Sequence, residues 1–219
     1  MNLDRIIQSI TVLYHSSIRI TGEKTVYADP FRVAGEPRDG DLILITHSHY
    51  DHLSPEDVAK VKGPGAAIVV PGGLRDQAAE LGFAPEQIFT LAPGQSCEAA
   101  GVSVEAVASY NTNKPNHPKA NRWLGYILTM GGARYYIAGD TDITPEARGV
   151  RCDAALVPVG GTYTMDCREA AELVNAIRPA AAIPTHYGAI VGSREDAETF
   201  LELLDPGIRG VIRMERTQK

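Results

Sequence analysis

Apolar residues in this chain occur in short runs separated by polar turns, a pattern typical of buried strands. The first part of the chain predicts a meander, in which the turn Thr21-Gly22-Glu23-Lys24 joins the second and third strands. After residue 54 the pattern alternates between strand and helix, and it then becomes rich in strands. The predicted strands cover residues 10–14, 17–21, 25–28, 42–45, 66–70, 88–91, 96–99, 102–109, 123–130, 134–138, 154–159, 181–184 and 210–214.

Helix start signals accompany three of the predicted helices. Ser54 precedes a proline and two acidic residues, which favours an N-cap there. Asp166 and Glu169 have capping-box spacing, and apolar residues at helical spacing follow both this box and Ser193. The predicted helices cover residues 55–61, a segment near 73–81, and the segments after 166 and 193.

The layout of these elements predicts the architecture. Each half of the chain has a strand meander followed by strand-helix units, which favours two sheets packed face to face with helices outside. No low-complexity linker divides the halves, so we expect a single domain of the α/β class over residues 1–219. The polar segment 111–121, with two prolines and four asparagines, predicts a long loop, and such loops are often functional.

Composition excludes several classes of function. The formal net charge of -6 and the absence of a basic run argue against a nucleic-acid partner. Cys97, Cys152 and Cys167 have no C-x-x-C spacing, which favours a reducing compartment over a disulfide framework or a thiolate metal site. The first residues lack the apolar core of a signal peptide, and no stretch reaches the ~20 apolar residues of a membrane span. We therefore expect a cytoplasmic protein that acts on a small molecule.

A run of histidines carries the chemistry. His47, His49, Asp51 and His52 follow the apolar run of residues 42–45 directly, so four metal-ligand side chains crowd one strand-to-helix turn. Imidazole and carboxylate groups together suit zinc, iron or manganese. The run therefore predicts a metal site.

Two further segments place ligand types after an apolar strand. Asp140 follows the predicted strand at 134–138, and His186 follows the one at 181–184. Because strand ends at one edge of a sandwich bring distant residues together, these side chains are expected to join the histidine run. A dinuclear hydrolytic site needs a bridging carboxylate, and Asp140 has the chemistry for it. Considered without the other segments, Asp140 could equally form an Asx turn. His186 could equally be a hydrogen-bonded histidine beside a turn glycine.

In this order along the chain, the residues resemble the metallo-β-lactamase superfamily of metallohydrolases. The similarity covers the H-x-H-x-D-H run, the turn Gly139-Asp140-Thr141 and His186 in Pro184-Thr185-His186-Tyr187-Gly188. The opening Leu13–Ile20 and the turn Tyr27-Ala28-Asp29-Pro30 further resemble the branch of L-ascorbate-6-phosphate lactonase-like proteins.

The resemblance implies a four-layer αββα sandwich of two mixed β-sheets with two metal ions at one edge, zinc first, with manganese or iron as alternatives. It implies that His47 and His49 bind the first ion, that Asp51, His52 and His186 bind the second, and that Asp140 bridges them. Asn111 stands where the family has a third histidine for the first ion, and an amide is a weaker ligand than imidazole. His117 in the following loop is the alternative ligand, although it also suits a solvated loop histidine.

The expected activity is metal-dependent hydrolysis of a small, anionic metabolite such as a lactone, ester or phosphodiester, by a water that metal binding activates. Asp51 is expected to orient that water, and Tyr187, His15 or His117 to donate a proton or stabilise the oxyanion. Asp29 is a candidate acceptor for the second N–H of a ligand histidine. Arg122, together with Lys114 or Lys119, is expected to hold the anion. Gly160 and Gly161 either border the cleft or serve a tight turn.

Other functions remain open at this point. Asparagine at position 111, where the family has a histidine, favours a metal-binding protein without turnover. Nucleases share the histidine run, but the negative charge counts against one. A flavin-linked di-iron oxidoreductase would be expected to have glutamate at His49 and would need a flavin module. The sequence leaves the oligomeric state unspecified.

Overall fold

The computed structural model describes residues 2–216, except for the side chain of Arg216. Two seven-stranded mixed sheets face each other, and helices cover both outer faces. The four-layer arrangement of the α/β class is therefore confirmed.

The first sheet holds the strands of the N-terminal half together with the last strand of the chain. Its order is β14-β1-β2-β3-β4-β5-β6, with β3, β4, β5 and β6 parallel to one another. These strands are β1 Ile10–Tyr14, β2 Ser17–Thr21, β3 Thr25–Ala28, β4 Gly40–Leu44, β5 Lys62–Pro71, β6 Ile88–Leu91 and β14 Met214–Arg216.

The second sheet is built from the C-terminal half. Its order is β13-β12-β11-β10-β9-β8-β7, with β10, β11 and β12 parallel. These strands are β7 Ser96–Ala99, β8 Val102–Ala108, β9 Leu124–Met130, β10 Ala133–Ile137, β11 Ala154–Pro158, β12 Ala181–Thr185 and β13 Arg209–Gly210.

Three apolar clusters separate the layers. One lies between the sheets, and its members alternate along strands such as β8 with side chains that face away. The second lies between the second sheet and the helices of the C-terminal half, and the third between the first sheet and the helices after β4 and β5. The helices are α1 Leu3–Ser9, α2 Pro55–Val61, α3 Arg75–Glu80, α4 Pro145–Arg148, α5 Cys167–Ile177 and α6 Arg194–Glu202, with short 3-10 turns at Gly72–Leu74, Pro85–Gln87 and Lys119–Asn121.

Most predicted elements are confirmed within one or two residues, but two expectations were wrong. Residues Leu3–Ser9 form a helix ahead of the meander, with Asn2 as N-cap. The single strand expected at 210–214 is divided between the two sheets, because Arg209–Gly210 pairs with β12 whereas Met214–Arg216 pairs with β1. The segment between them crosses the open edge of the sandwich, which local sequence pattern does not encode.

The sheets are joined where the predicted ligands lie. The Tyr126 hydroxyl donates to the Ile45 carbonyl at 2.7 Å. The backbone N–H of Leu124 donates to the Thr46 carbonyl, and that of His186 donates to the His15 carbonyl at 3.0 Å. Because the carboxyl ends of β4, β10 and β12 point to this edge, the turns that follow them converge there.

Candidate metal centre

The histidine run forms the turn between β4 and α2. Ser54 caps α2, its side chain accepting from the Asp57 N–H, so the helix begins directly after the run. The backbone N–H groups of His52 and Leu53 both donate to the carbonyl of His49, which closes the turn. His47, Asp51 and His52 are consequently buried side by side.

Asp140 lies at the centre of the predicted ligands. Its Oδ1 is 3.3 Å from Nε2 of His52. Its Oδ2 is 3.1 Å from Nε2 of His186, 3.3 Å from Nε2 of His117 and 3.9 Å from Nε2 of His47. One carboxylate thus faces four imidazole nitrogens from three separate segments of the chain: the histidine run, the loop after β8 and the end of β12.

The Nδ1 atoms of His47 and His52 are held by other groups of the protein. Asp29 Oδ2 lies 2.7 Å from Nδ1 of His52, which confirms the acceptor expected at Asp29. Asp29 also accepts from the N–H and hydroxyl of Thr46, and that hydroxyl lies 2.9 Å from Nδ1 of His47. Such contacts fix the direction in which the Nε2 atoms point. Thr46 was not identified from the sequence, although its place directly before the run is the signal.

Asn111 and His117 meet in the loop after β8. The Asn111 side-chain oxygen accepts from the N–H of His117 and lies 3.0 Å from His117 Nδ1. The Asn111 amide nitrogen donates to Asp142 at 3.1 Å and to the Tyr163 carbonyl at 2.9 Å. Both ends of this amide are therefore engaged by protein groups, whereas Nε2 of His117 faces Asp140. In this geometry the imidazole of His117, and not the amide of Asn111, is the group that faces Asp140.

Asp142 anchors the same loop from below. It is buried, and it accepts from the N–H of Thr112 at 2.8 Å and from Lys114 Nζ at 2.6 Å, besides the Asn111 amide. Sequence reasoning did not find this role, although a second aspartate two residues after Asp140 was the available signal. The loop conformation that places His117 thus depends on a buried carboxylate and its lysine.

His15 lies behind Asp51 and His186. Its side chain is fully buried, with Nε2 3.6 Å from Asp51 Oδ2 and the ring 4.0 Å from that of His186. Neither ring nitrogen has a hydrogen-bond partner within residues 2–216. His15 and His186 both adopt left-handed backbone conformations, with φ of 54° and 56°, which are uncommon for non-glycine residues.

Burial and mutual charge set the protonation of the cluster. Burial raises the pKa of Asp140, but His186 and His52 outweigh it and hold that pKa well below its ordinary value. Burial lowers the pKa of His52, yet Asp140 and Asp29 hold it well above its ordinary value. Burial and then His186 lower the pKa of His15 to about 2. The cluster without a metal therefore keeps the Asp140 carboxylate ionised beside a protonated His52, with His15 neutral.

The residues present fit a metal centre. Nε2 of His52, Nε2 of His117 and Oδ1 of Asp140 are buried with no hydrogen-bond partner in the described part of the chain. A buried polar atom without a partner costs about 1–3 kcal/mol, so a cluster of them points to a ligand that satisfies them. Imidazole and carboxylate are the donors that zinc, manganese and iron accept. Three sets of these side chains lie close enough to hold an ion: His47, His49 and His117; His15, Asp51 and His186; and His47, His52 and Asp140.

Trp123, the only tryptophan of the chain, forms a wall beside this centre. Its ring centroid lies 4.9 Å from those of His47 and His49 and 5.6 Å from that of His117. The Tyr187 side chain, in contrast, is buried in the apolar cluster beneath α5 and α6. Burial raises the pKa of Tyr187 to about 12. Tyr187 therefore packs the core and does not line the pocket over the centre.

Gly160 packs against the backbone that carries His186. A Cβ at position 160 would overlap the His186 carbonyl oxygen. The neighbouring Gly161 has a φ of 64°. Close packing against the His186 backbone therefore accounts for the glycine at position 160, whereas the positive φ of Gly161 is a conformation that tight turns use.

A pocket of about 220 Å³ opens over the centre. None of its lining residues is a lysine or arginine: they are His49, Tyr50, Asp51, Asn116, His117, Asp140, Tyr163, His186 and Ile190. Lys119 and Arg122 line a separate cavity behind Trp123. Lys114 is bound to Asp142. The expected anion-binding role of these three cations was wrong for this pocket, because the loop turns them away from it.

The sequence and the fold are similar to those of known metal-dependent hydrolases. Residues 9–186 match a family model described as the beta-lactamase superfamily domain. A UPF0173 metal-dependent hydrolase of Thermoplasma acidophilum is 35% identical over 86% of this chain and 87% of the relative. One from Pyrococcus furiosus is 34% identical over 93% and 95%. A crystal structure of a candidate metal-dependent hydrolase from Parabacteroides distasonis superimposes with a TM-score of 0.76 at 31% identity, over 94% of this chain and 93% of that one.

Within residues 2–216, none of the helices combines the length and the apolar character that a bilayer crossing demands.

Proposed function

The chain belongs to the UPF0173 family of metal-dependent hydrolases in the metallo-β-lactamase superfamily, and from this premise we propose that it hydrolyses a lactone, ester or phosphodiester bond of a small metabolite. The observation that carries the proposal is the convergence of four imidazole Nε2 atoms on the Asp140 carboxylate. Lactones are the first substrates to test, because residues 13–20 and 27–30 resemble the lactonase-like branch.

The proposed ligand set divides into two positions joined by Asp140. His47, His49 and His117 form the first position, and Asp51, His52 and His186 form the second. Two divalent ions held there, zinc first, with manganese or iron as alternatives, would supply a nucleophile from water at neutral pH and a Lewis acid for the substrate oxygen. Asparagine at position 111, in place of a third histidine, favoured a metal-binding protein without turnover. In this proposal His117 supplies the imidazole that position 111 lacks.

The chain's own side chains have distinct roles in this proposal. Asp51 lines the pocket, and its carboxylate lies 3.5 Å from Nε2 of His52, so it can accept and hold a proton from the attacking water. His15 lies beneath the pocket lining, beside Asp51 and His186, and suits an additional ligand of the second position better than a proton donor to substrate. Asn111 holds His117 in place without binding metal itself.

The pocket lining offers no lysine or arginine to bind a charged group of the substrate. Because Lys114, Lys119 and Arg122 do not line it, an anionic group on the substrate would be held by the metal ions. The same lack of cations disfavours a nuclease, whose substrate needs contacts along several phosphates. Free thiols at Cys97, Cys152 and Cys167 support a cytoplasmic location in this proposal.

The test combines metal content with turnover. Metal-free protein is loaded with zinc, manganese or iron(II), the bound metal is measured, and hydrolysis of lactone, ester and phosphodiester panels follows. We expect two ions per chain with turnover on one panel, and an Asp140→Asn variant that is folded but inactive. The exposed Asp76, varied to Asn, is the matched control and should behave as wild type. Full turnover by Asp140→Asn, or two bound ions with no turnover on any panel, contradicts the proposal.

A further inference from the structure

The exposed large hydrophobic side chains are not scattered over the surface. In the described part of the chain they are Tyr50, Tyr163, Ile190 and Leu203, which are 67%, 37%, 38% and 37% exposed. Tyr50, Tyr163 and Ile190 all line the pocket over the metal centre, whereas Leu203 lies at the end of α6. Single exposed hydrophobic residues are ordinary, but a group around a concave site indicates a binding surface.

These three side chains, here called the apolar rim, are attached to segments that build the centre. Tyr50 lies between His49 and Asp51, and its ring meets that of the buried Phe31 edge-on with centroids 5.9 Å apart. The Tyr163 carbonyl accepts from the Asn111 amide nitrogen at 2.9 Å.

Ile190 belongs to a loop that returns on itself directly after a ligand. The loop follows His186, and the Gly188 N–H donates to the Gly192 carbonyl at 3.2 Å. Both glycines have positive φ, 70° and 67°, which lets the chain turn so tightly. The rim is therefore positioned relative to the proposed reaction centre by three separate segments.

Charge in the pocket is divided between its floor and its mouth. Asp51 and Asp140 lie at the floor with the histidines, and no cation is among the lining residues. Lys114 of the long loop is bound to Asp142 at 2.6 Å and lies 4.0 Å from Glu169. An anionic group at the mouth would thus find no partner there, whereas an apolar group would cover exposed hydrophobic surface.

We propose that Tyr50, Tyr163 and Ile190 form a specificity subsite for an uncharged, apolar tail of the substrate, an acyl chain or an aromatic ring. The reacting bond lies below the rim, at Asp140. This inference rests on the proposed function and deepens it, because it names the substrates as esters or lactones with an apolar tail in preference to small, highly charged metabolites.

Hydroxamates test the subsite without requiring the natural substrate, because the head group binds metal and the tail can be varied. Affinities of acetohydroxamate, hexanohydroxamate and adipic acid monohydroxamate for the zinc-loaded protein are measured by calorimetry. Each methylene group buried on binding increases the affinity about fourfold. We therefore expect hexanohydroxamate to bind at least about tenfold more tightly than acetohydroxamate. The adipic compound, of equal length with a terminal carboxylate, should show no gain.

Variants test whether the gain in affinity comes from the apolar rim or from any exposed hydrophobic residue. Ile190→Ser and Tyr163→Ser should remove most of the tail gain while acetohydroxamate binds as before. Leu203→Ser, a matched loss of an exposed hydrophobic residue away from the pocket, should keep the full gain. The inference is overturned if the carboxylate tail binds as well as the alkyl tail. It is equally overturned if the rim variants keep the gain and change only the sedimentation of the protein, which would make the rim a contact between copies.

The same measurements distinguish a failure of the proposed function from a failure of the subsite. If acetohydroxamate itself does not bind the zinc-loaded protein, the metal centre is wrong and the subsite falls with it. If acetohydroxamate binds but no tail adds affinity, the metal centre stands and only the subsite is wrong.

Discussion

The side-chain oxygen of Asn111 lies 3.0 Å from Nδ1 of His117. The residue at the position expected for a third histidine thus holds a histidine that comes from six positions further along the chain. The exchange is chemically sound, because an amide oxygen is a good acceptor for an imidazole N–H and a poor ligand for zinc. It also makes the metal centre depend on the fold of the loop 111–121.

The first prediction concerns this pair. His117→Ala should reduce bound zinc from two ions per chain to one, because the first position loses an imidazole ligand. Asn111→Ala should keep both positions but weaken the first by between about 10-fold and 100-fold, the usual effect of losing a supporting contact. Competition with a chelator measures both. Asn113→Ala, an exposed asparagine of the same loop, is the control. Equal zinc affinity in Asn111→Ala and wild type would contradict the positioning role.

Trp123 should report occupancy of the first position. Its ring lies within 5.6 Å of the rings of His47, His49 and His117, and no other tryptophan contributes emission. Adding zinc to the metal-free protein should change the fluorescence and saturate with the first position. His117→Ala should lose most of the change, whereas His186→Ala should keep it. An emission change that follows His186 instead would mean that the two positions are wrongly divided.

Gly160 should tolerate no side chain. Gly160→Ala forces a methyl group against the His186 carbonyl, so the backbone that carries this ligand must move. We expect a loss of about 1–3 kcal/mol in the free energy of unfolding, together with weaker binding at the second metal position. Gly73→Ala is the matched control, since its Cβ would meet nothing within 4 Å. Denaturant titration and zinc affinity check both effects, and a wild-type result for Gly160→Ala would contradict the packing argument.

Asp57 should contribute stability that depends on pH. Burial raises its pKa, but hydrogen bonds from Lys60, Ser54 and two backbone N–H groups outweigh burial and lower that pKa from the ordinary 3.8. A carboxyl with a lowered folded-state pKa stabilises the fold fully above 3.8, and the contribution is lost as the pH falls through the folded value. Asp57→Asn should therefore cost about 1–3 kcal/mol at neutral pH.

The difference between wild type and Asp57→Asn should shrink as the pH falls below about 4. Denaturant titrations of the metal-free proteins across this range provide the measurement. Asp76→Asn, at an exposed position in the first turn of α3, should show no such trend. A difference that stays constant down to the acid limit would mean that the lost stability comes from packing and not from ionisation.

Local pattern was sufficient for most of the fold. The helix at Pro55–Val61 is recognisable because its cap, proline and acidic residues are adjacent in the sequence, and the capping box at Asp166 is equally local. The strands follow from apolar runs. The division of residues 209–216 between the two sheets was not predictable, because partner choice across an open sandwich edge depends on strands some 200 residues away.

The candidate site, like the fold, has a part that local sequence predicts and a part that it does not. The sequence by itself determined the ligand types, since His47, His49, Asp51 and His52 are adjacent and Asp140 and His186 each follow an apolar strand. Only the tertiary structure turns His117 towards Asp140, places Lys114, Lys119 and Arg122 outside the pocket lining, and gathers Tyr50, Tyr163 and Ile190 at its mouth. The physical reason is that a strand fixes where its end lies, whereas a long loop is placed by hydrogen bonds such as those of Asp142, whose partners the sequence does not name.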